Sequence, residues 1–267
     1  MKAARFWLLH AWLPAALYAV CIGGIAAFDL DRRLADAFFF DQARGAWIGA
    51  GSWWATDLIH GGGAILVRLV ALSALALWVT CRIVPRWRAF RAGAGYVLLV
   101  LVLCSGTVGG LKELTGVDCP RELAQYGGDR PYAPLLSRTA AAGPQGHCFP
   151  GSHASTAFAL VAFYFAPLRR RPGVARAALV AALALGAVFS VGQEARGAHF
   201  LSHDLTSAAF AWFLALVLWY RLLELAPPLA PRWIPPGSGV QQTASSIPRE
   251  TGPFSGAAAH SAHARRG

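Results

Sequence analysis

Residues 153–199 read HASTAFALVAFYFAPLRRRPGVARAALVAALALGAVFSVGQEARGAH. Two hydrophobic stretches lie inside this segment, 154–168 and 174–192, separated by the basic turn Arg169-Arg170-Arg171. A helix of about 20 apolar residues spans the roughly 30 Å hydrocarbon core of a bilayer. Two such stretches, crossed in opposite directions, return the chain to the side it left. His153 and His199 therefore meet at one interface although 46 positions separate them. Three polar clusters then share that face: Lys112 to Arg121, His147 to His153, and Gln193 to Asp204.

The rest of the composition agrees. Of 267 residues 56% are hydrophobic and 14% charged, where a soluble domain carries about a quarter charged residues. Six stretches are expected to cross the membrane: 8–28, 64–82, 93–111, 154–168, 174–192 and 205–225. The fourth is short and is expected to extend outward through the polar residues before it. The fold class is all-α, a polytopic membrane protein with six transmembrane helices in one bundle and an outward-facing active site; a large soluble helical bundle fits the composition poorly. One membrane domain covers 1–226, with its core motifs in 112–204. The tail 227–267, rich in Pro, Gly, Ser and Ala, is expected to be disordered and cytoplasmic.

A net charge of +11 suggests nucleic acid until its distribution is counted. With loops on alternating sides, the N-terminus, the 82–91 loop, the 169–176 turn and the tail hold 15 Lys/Arg and 2 acids, and the opposite face 8 and 11. That asymmetry is the positive-inside pattern, with both termini cytoplasmic and the three clusters outside. Attraction to anionic lipid is a further consequence. No basic stripe with interleaved aromatics points to nucleic acid, and no protein partner is evident.

Cys119 and Cys148 fall in the same outward loop. In an oxidising compartment they either pair as a disulfide or stay as two buried thiols. The first outward segment, 29–63, carries Trp47, Trp53 and Trp54, which suit the headgroup level. Arg68, near the outer end of a span, is expected to snorkel. His10, His60, His260 and His263 carry no evident chemistry.

Phosphoryl transfer needs cations or amide dipoles around the equatorial oxygens, an in-line nucleophile and an acid for the leaving oxygen. Lys112 supplies a charge at the end of a span. Pro150-Gly151-Ser152-His153 starts a helix whose amides would face an anion, and Ser152 adds a donor. His153 and His199 are candidates for acid and nucleophile, since imidazole titrates near working pH. Other readings are a structural role for either histidine, and Lys112 as an interfacial anchor. His199, His203 and His153 as a metal trio is a further one. A serine hydrolase lacks its G-x-S-x-G elbow.

Lys112-x6-Cys119-Pro120, then Pro150-Gly151-Ser152-His153, then Gln193-x5-His199-x3-His203-Asp204 resembles the three motifs of the type-2 phosphatidic acid phosphatase superfamily, which includes bacterial acid phosphatases and vanadium haloperoxidases. The family pattern is K-x6-R-P, P-S-G-H and S-R-x5-H-x3-D. The resemblance covers roughly 100 residues from Lys112 and suits the family's membrane branch. It implies that His199 attacks phosphorus to form a phosphohistidine, that His153 protonates the leaving oxygen, that Lys112 binds phosphate, and that no metal or other cofactor is needed. An acid four residues after the nucleophile orients it; here His203 holds that place and Asp204 follows, so Asp204 is preferred with His203 as competitor.

Three departures stand out. Cys119 and Gln193 replace the motif arginines, and Gly151 and Ser152 exchange order. Neither Cys nor Gln makes a guanidinium's bidentate phosphate contact. Arg121, Arg130 and Arg196 are the nearby substitutes, Arg196 best placed at three residues from Gln193. The resemblance implies a metal-independent lipid phosphate or diphosphate phosphatase of the bacterial inner membrane with a periplasmic site, in contact with membrane lipids. A lipid phosphotransferase, or an inactive protein that binds anionic lipid, are the alternatives.

Overall fold

The computed structural model describes residues 3–134 and 146–225. Five helices there are long and apolar enough to cross a membrane: Ala3–Phe28 (α1), Trp54–Ile83 (α2), Pro85–Glu122, Pro172–Ala195 and Leu201–Glu224. The continuous α-helical part of the third is Arg91–Thr115 (α3). Between it and Pro172–Ala195 (α5) lies the shorter apolar helix Ser152–Phe165 (α4), and Leu201–Glu224 is α6. The expected tail disorder lies outside the described residues, as does part of the long outward loop.

The fourth span is where expectation and structure differ. It does begin in the polar cluster, at Ser152, but ends at Phe165, just before Pro167, whose ring and missing N–H oppose continuation. At 1.5 Å per residue its length is about 21 Å, short of the hydrocarbon thickness. Its position explains how it survives. Ala154, Ala157, Ala159, Ala162 and Phe165 are fully buried, because α4 packs among α3, α5 and α6. Small residues let the neighbouring backbones close in.

The second span also differs, starting at Trp54 rather than residue 64. Its first part, Trp54–Gly62, is wound as a wide π-type helix, so the outward segment is shorter than expected. That segment holds a small antiparallel hairpin pairing Phe40–Asp41 with Ala46–Trp47. Trp47 is therefore not a headgroup anchor. It is 7% exposed and packs with Phe40, Tyr126 and Phe200 in an outer cluster. Trp53 is 67% exposed, and Arg68 is exposed on α2.

The main core gathers Phe6, Tyr96, Val100, Phe165, Leu216 and Trp219 from four helices, α1, α3, α4 and α6. The Tyr96 hydroxyl donates to the Ala215 carbonyl at 2.9 Å. His10 is buried here with both ring nitrogens bonded, Nδ1 to the Phe6 carbonyl at 2.9 Å and Nε2 to the Tyr164 hydroxyl at 2.6 Å, a satisfied structural histidine. Leu17, Val20, Leu69, Leu72, Val102 and Val180 point outward, the apolar exterior that lipid requires.

Candidate active site

Each polar cluster is delivered by a helix end. Lys112 lies in the last turn of α3, which stops at Gly116 in the left-handed conformation, φ 57°, the usual glycine stop. The Thr115 hydroxyl donates to the Phe149 carbonyl, tying this end to the approach of α4. Gly151 caps α4 and faces α6: its N–H donates to the His203 carbonyl at 3.3 Å, and its carbonyl accepts from the Ser207 hydroxyl at 2.8 Å. A Cβ on Gly151 would collide with Asp204 Oδ1 and touch the His199 ring. Only glycine allows this approach.

Between α5 and α6 the chain reverses at Gly197, φ 63°, where a side chain would also run into the Trp47 indole. The turn sets His199 between the helices. The start of α6 is then held by Asp31, in the short helix Leu30–Leu34. Its two carboxylate oxygens accept the Ser202 backbone N–H at 2.9 Å and hydroxyl at 2.6 Å.

His199, His203 and Asp204 are all buried. The rings of His199 and His203 lie 5.8 Å apart, edge to face. Their Nδ1 atoms, and both Asp204 oxygens, are buried without a hydrogen-bond partner. The Cys148 backbone lies beside both rings and the Ser190 hydroxyl beside Asp204, each outside good hydrogen-bond geometry. Lys112 is the cation in electrostatic reach of Asp204 and both imidazoles. Burial, with His203 and Lys112 adding, pushes His199 well below the usual imidazole range, which favours the neutral ring. No hydrogen bond joins His199 to His203 or Asp204 among the described residues. Nor do three His, Cys, Asp or Glu residues gather there into a metal-binding group, so the His199, His203 and His153 trio gains no geometric support.

His153 projects from the first turn of α4. Its ring stacks on Phe189 at 4.4 Å and 9°, and Nε2 donates to the Ile59 carbonyl at 3.3 Å. On its other side is His60, 4.6 Å away between centroids. Arg196 Nη1 donates to Gln193 Oε1 at 3.2 Å, and Gln193 Nε2 donates to His60 Nδ1 at 3.1 Å. Arg196 is within reach of His60, His153 and Arg121. Burial and Arg121 disfavour its charged form. Arg121 is exposed and donates its backbone N–H to Gly197 at 2.9 Å. Arg130 belongs to the outer loop, beside Asp129 at 3.5 Å and bonded through its backbone to Glu122 and Ala124.

Cys119 and Cys148 form a disulfide with a Cα separation of 5.1 Å, binding the loop after α3 to the residues that enter α4. His60 and Asp31 are the residues that sequence reasoning missed. Nothing near either in the chain resembles a site, and only packing brings them in.

Residues 93–225 match the PAP2 superfamily, over the helices and turns that carry every motif above. The chain belongs to that superfamily. No curated protein and no solved structure matches it. PAP2 members are phosphatases acting on phosphate esters, and the five apolar helices are those of a membrane-spanning protein.

Proposed function

We propose that the protein is a six-crossing lipid phosphate or diphosphate phosphatase of the bacterial inner membrane, with its site on the periplasmic face. The observation that carries this reading is the convergence of Lys112, His153, Arg196, His199 and Asp204 from three distant segments into mutual electrostatic reach. His199 attacks phosphorus; with Nδ1 buried, Nε2 is the attacking atom. The leaving oxygen takes a proton from His153, and water then hydrolyses the phosphohistidine with His153 acting as base. Lys112, Arg196 and Arg121 neutralise the oxygens, helped by Ser152 and the Gly151 approach, with Arg130 in the loop above. Asp204 and His203 flank the nucleophile, and Asp204, within electrostatic reach of Lys112, balances the charge of the site. No cofactor takes part. Positive residues on the opposite face support cytoplasmic termini, and α4 reaches across with the turn 166–171 completing the sixth crossing.

Arg196 supports an active enzyme over an inert lipid binder, because a guanidinium sits where the motif arginines are missing. The test is phosphate release by purified protein in detergent with EDTA, from lipid monophosphates and diphosphates. We expect release from at least one lipid, indifferent to EDTA and lost in His199→Ala, with a phosphohistidine, acid-labile and stable in alkali, trapped by alkaline quenching. Silence across the panel would shift the reading to phosphotransfer or lipid binding.

A further inference from the structure

The phosphatase reading leaves one polar group unused. His60 lies on α2, outside every motif, yet its ring is 4.6 Å from that of His153. We propose that His60 is a positioning residue for the acid–base histidine, and that Gln193 is the connector that couples it to Arg196; this rests on the proposed phosphatase activity.

The hydrogen-bond directions follow from the donors. A guanidinium only donates. Arg196 therefore takes the Gln193 carbonyl (3.2 Å), which turns the Gln193 amide toward His60 Nδ1 (3.1 Å). His60 Nδ1 must accept, so its proton resides on Nε2 and one tautomer is selected. His153 is treated similarly. Its Nε2 donates to the carbonyl of Ile59, the residue next to His60, which leaves Nδ1 to exchange the catalytic proton. The ring is then clamped, with Phe189 stacked on it at 4.4 Å and His60 beside it.

The clamp is built into the helix packing. α2 and α5 approach closely enough that a Cβ at Gly192 would strike Ile59, and one at Gly63 would strike Phe189. Ile59 and His60 sit in the π-type turn Trp54–Gly62, a local geometry that is often functional. The missing motif arginine thereby acquires an explanation. Gln193 does not imitate a guanidinium; it joins the phosphate-binding arginine to the acid–base imidazole.

A group that acts through the acid matters most when the leaving oxygen needs a proton. Phosphatidic acid expels an alkoxide, whereas diacylglycerol diphosphate, attacked at its terminal phosphorus, expels phosphatidate, whose anion needs no proton to leave. The experiment compares kcat and KM on these two lipids for wild type, His60→Ala, His60→Asn and Gln193→Leu in detergent, with monodispersity and melting temperature recorded. General acid–base catalysis contributes about 10²–10⁴-fold, so loss of positioning is expected to lower kcat on phosphatidic acid by about 10-fold or more. KM should stay unchanged, and the diphosphate should lose less than about 3-fold. His60→Asn, whose carbonyl accepts from Gln193, should recover part of the loss. Gln193→Leu breaks the chain from its other end and should show the same leaving-group selectivity, which keeps the test open if His60→Ala does not fold. Should only one lipid be turned over, the kcat-against-KM split and the Asn rescue decide. Equal losses on both lipids with no rescue, or no loss at all, would overturn the proposal. An inactive wild type would instead refute the phosphatase reading itself.

Discussion

Asp31 caps Ser202 from 171 positions away, one carboxylate oxygen on the backbone N–H and the other on the hydroxyl. The first turn of α6 is thus held by a residue from the segment between α1 and α2. A cap supplied by the helix's own N-cap residue would be local; here the cap, N-terminal to α6 by most of the chain, closes the fold over the site. His203 and Asp204 follow Ser202 directly, and His199 precedes it by three residues, so a shift at Ser202 moves all three.

Asp31→Ala should cost about 1–2 kcal/mol through the lost cap and lower kcat/KM by 10-fold or more on the same geometric ground. Asp31→Asn, which keeps one acceptor, should do less. Thermal melts in detergent and phosphate-release kinetics check both effects, and an Asp31→Ala enzyme of normal activity would detach the cap from function.

Gly151→Ala places a methyl group against the Asp204 carboxylate and the His199 ring. Overpacking of this kind costs about 1–3 kcal/mol, and the displaced carboxylate should reduce turnover by more than 10-fold. Gly173→Ala, where no atom lies within 4 Å of the added carbon, is the control and should be neutral in both assays.

Arg196→Ala should lower kcat/KM by about 10²-fold or more, the scale of a lost charge-assisted contact in the transition state. Arg121→Ala should cost less, because its side chain is exposed and screened. Gln193→Arg should fail to improve activity and should reduce it, since a guanidinium offers Arg196 no acceptor and sets a second positive charge against it. Gain of activity in Gln193→Arg would mean that the motif position still faces phosphate.

Replacing Cys119 or Cys148 with Ser opens a loop of 29 positions' separation, for which the loss is about 2–4 kcal/mol. The Cys148 backbone stands beside His199 and His203, so activity should fall with stability. A reducing agent should reproduce the effect in wild type and leave either Ser variant unchanged; melting curves with and without reductant decide it.

His199 has a depressed folded-state affinity for protons because it is buried. Above the unfolded value of about 6.5 it is neutral in both states and adds no pH dependence. As pH falls below that value only the unfolded chain binds the proton, and stability is lost at up to about 1.4 kcal/mol per pH unit until the folded value is reached. His199→Gln should therefore lose less melting temperature than wild type between pH 7.5 and pH 5. An identical loss would show that His199 is accessible to protons in the folded protein.

Much of the architecture was legible in the chain. Length and polarity of the apolar stretches gave the long helices, since a bilayer demands continuous apolar helix whatever lies beside it. Motif spacing placed Lys112, His153 and His199 at helix ends on a common face, because alternating crossings are a matter of counting. The left-handed turn before His199 was readable from Gly197. Helix ends were less so: α4 stops at Phe165, ahead of Pro167, and α2 begins at Trp54, well before the expected residue 64.

The sequence by itself determined a helical membrane protein, its family motifs and the residues that could handle phosphate, because hydrophobic length and motif spacing are local properties. Tertiary structure alone decided that Asp31 caps α6, that Trp47 is buried under the outer loop, and that His60 and Gln193 connect Arg196 to His153. Those relationships depend on contacts between residues 79 to 171 positions apart or on the packing of α2 against α5, and no local pattern in the chain encodes which side chain a distant helix will present.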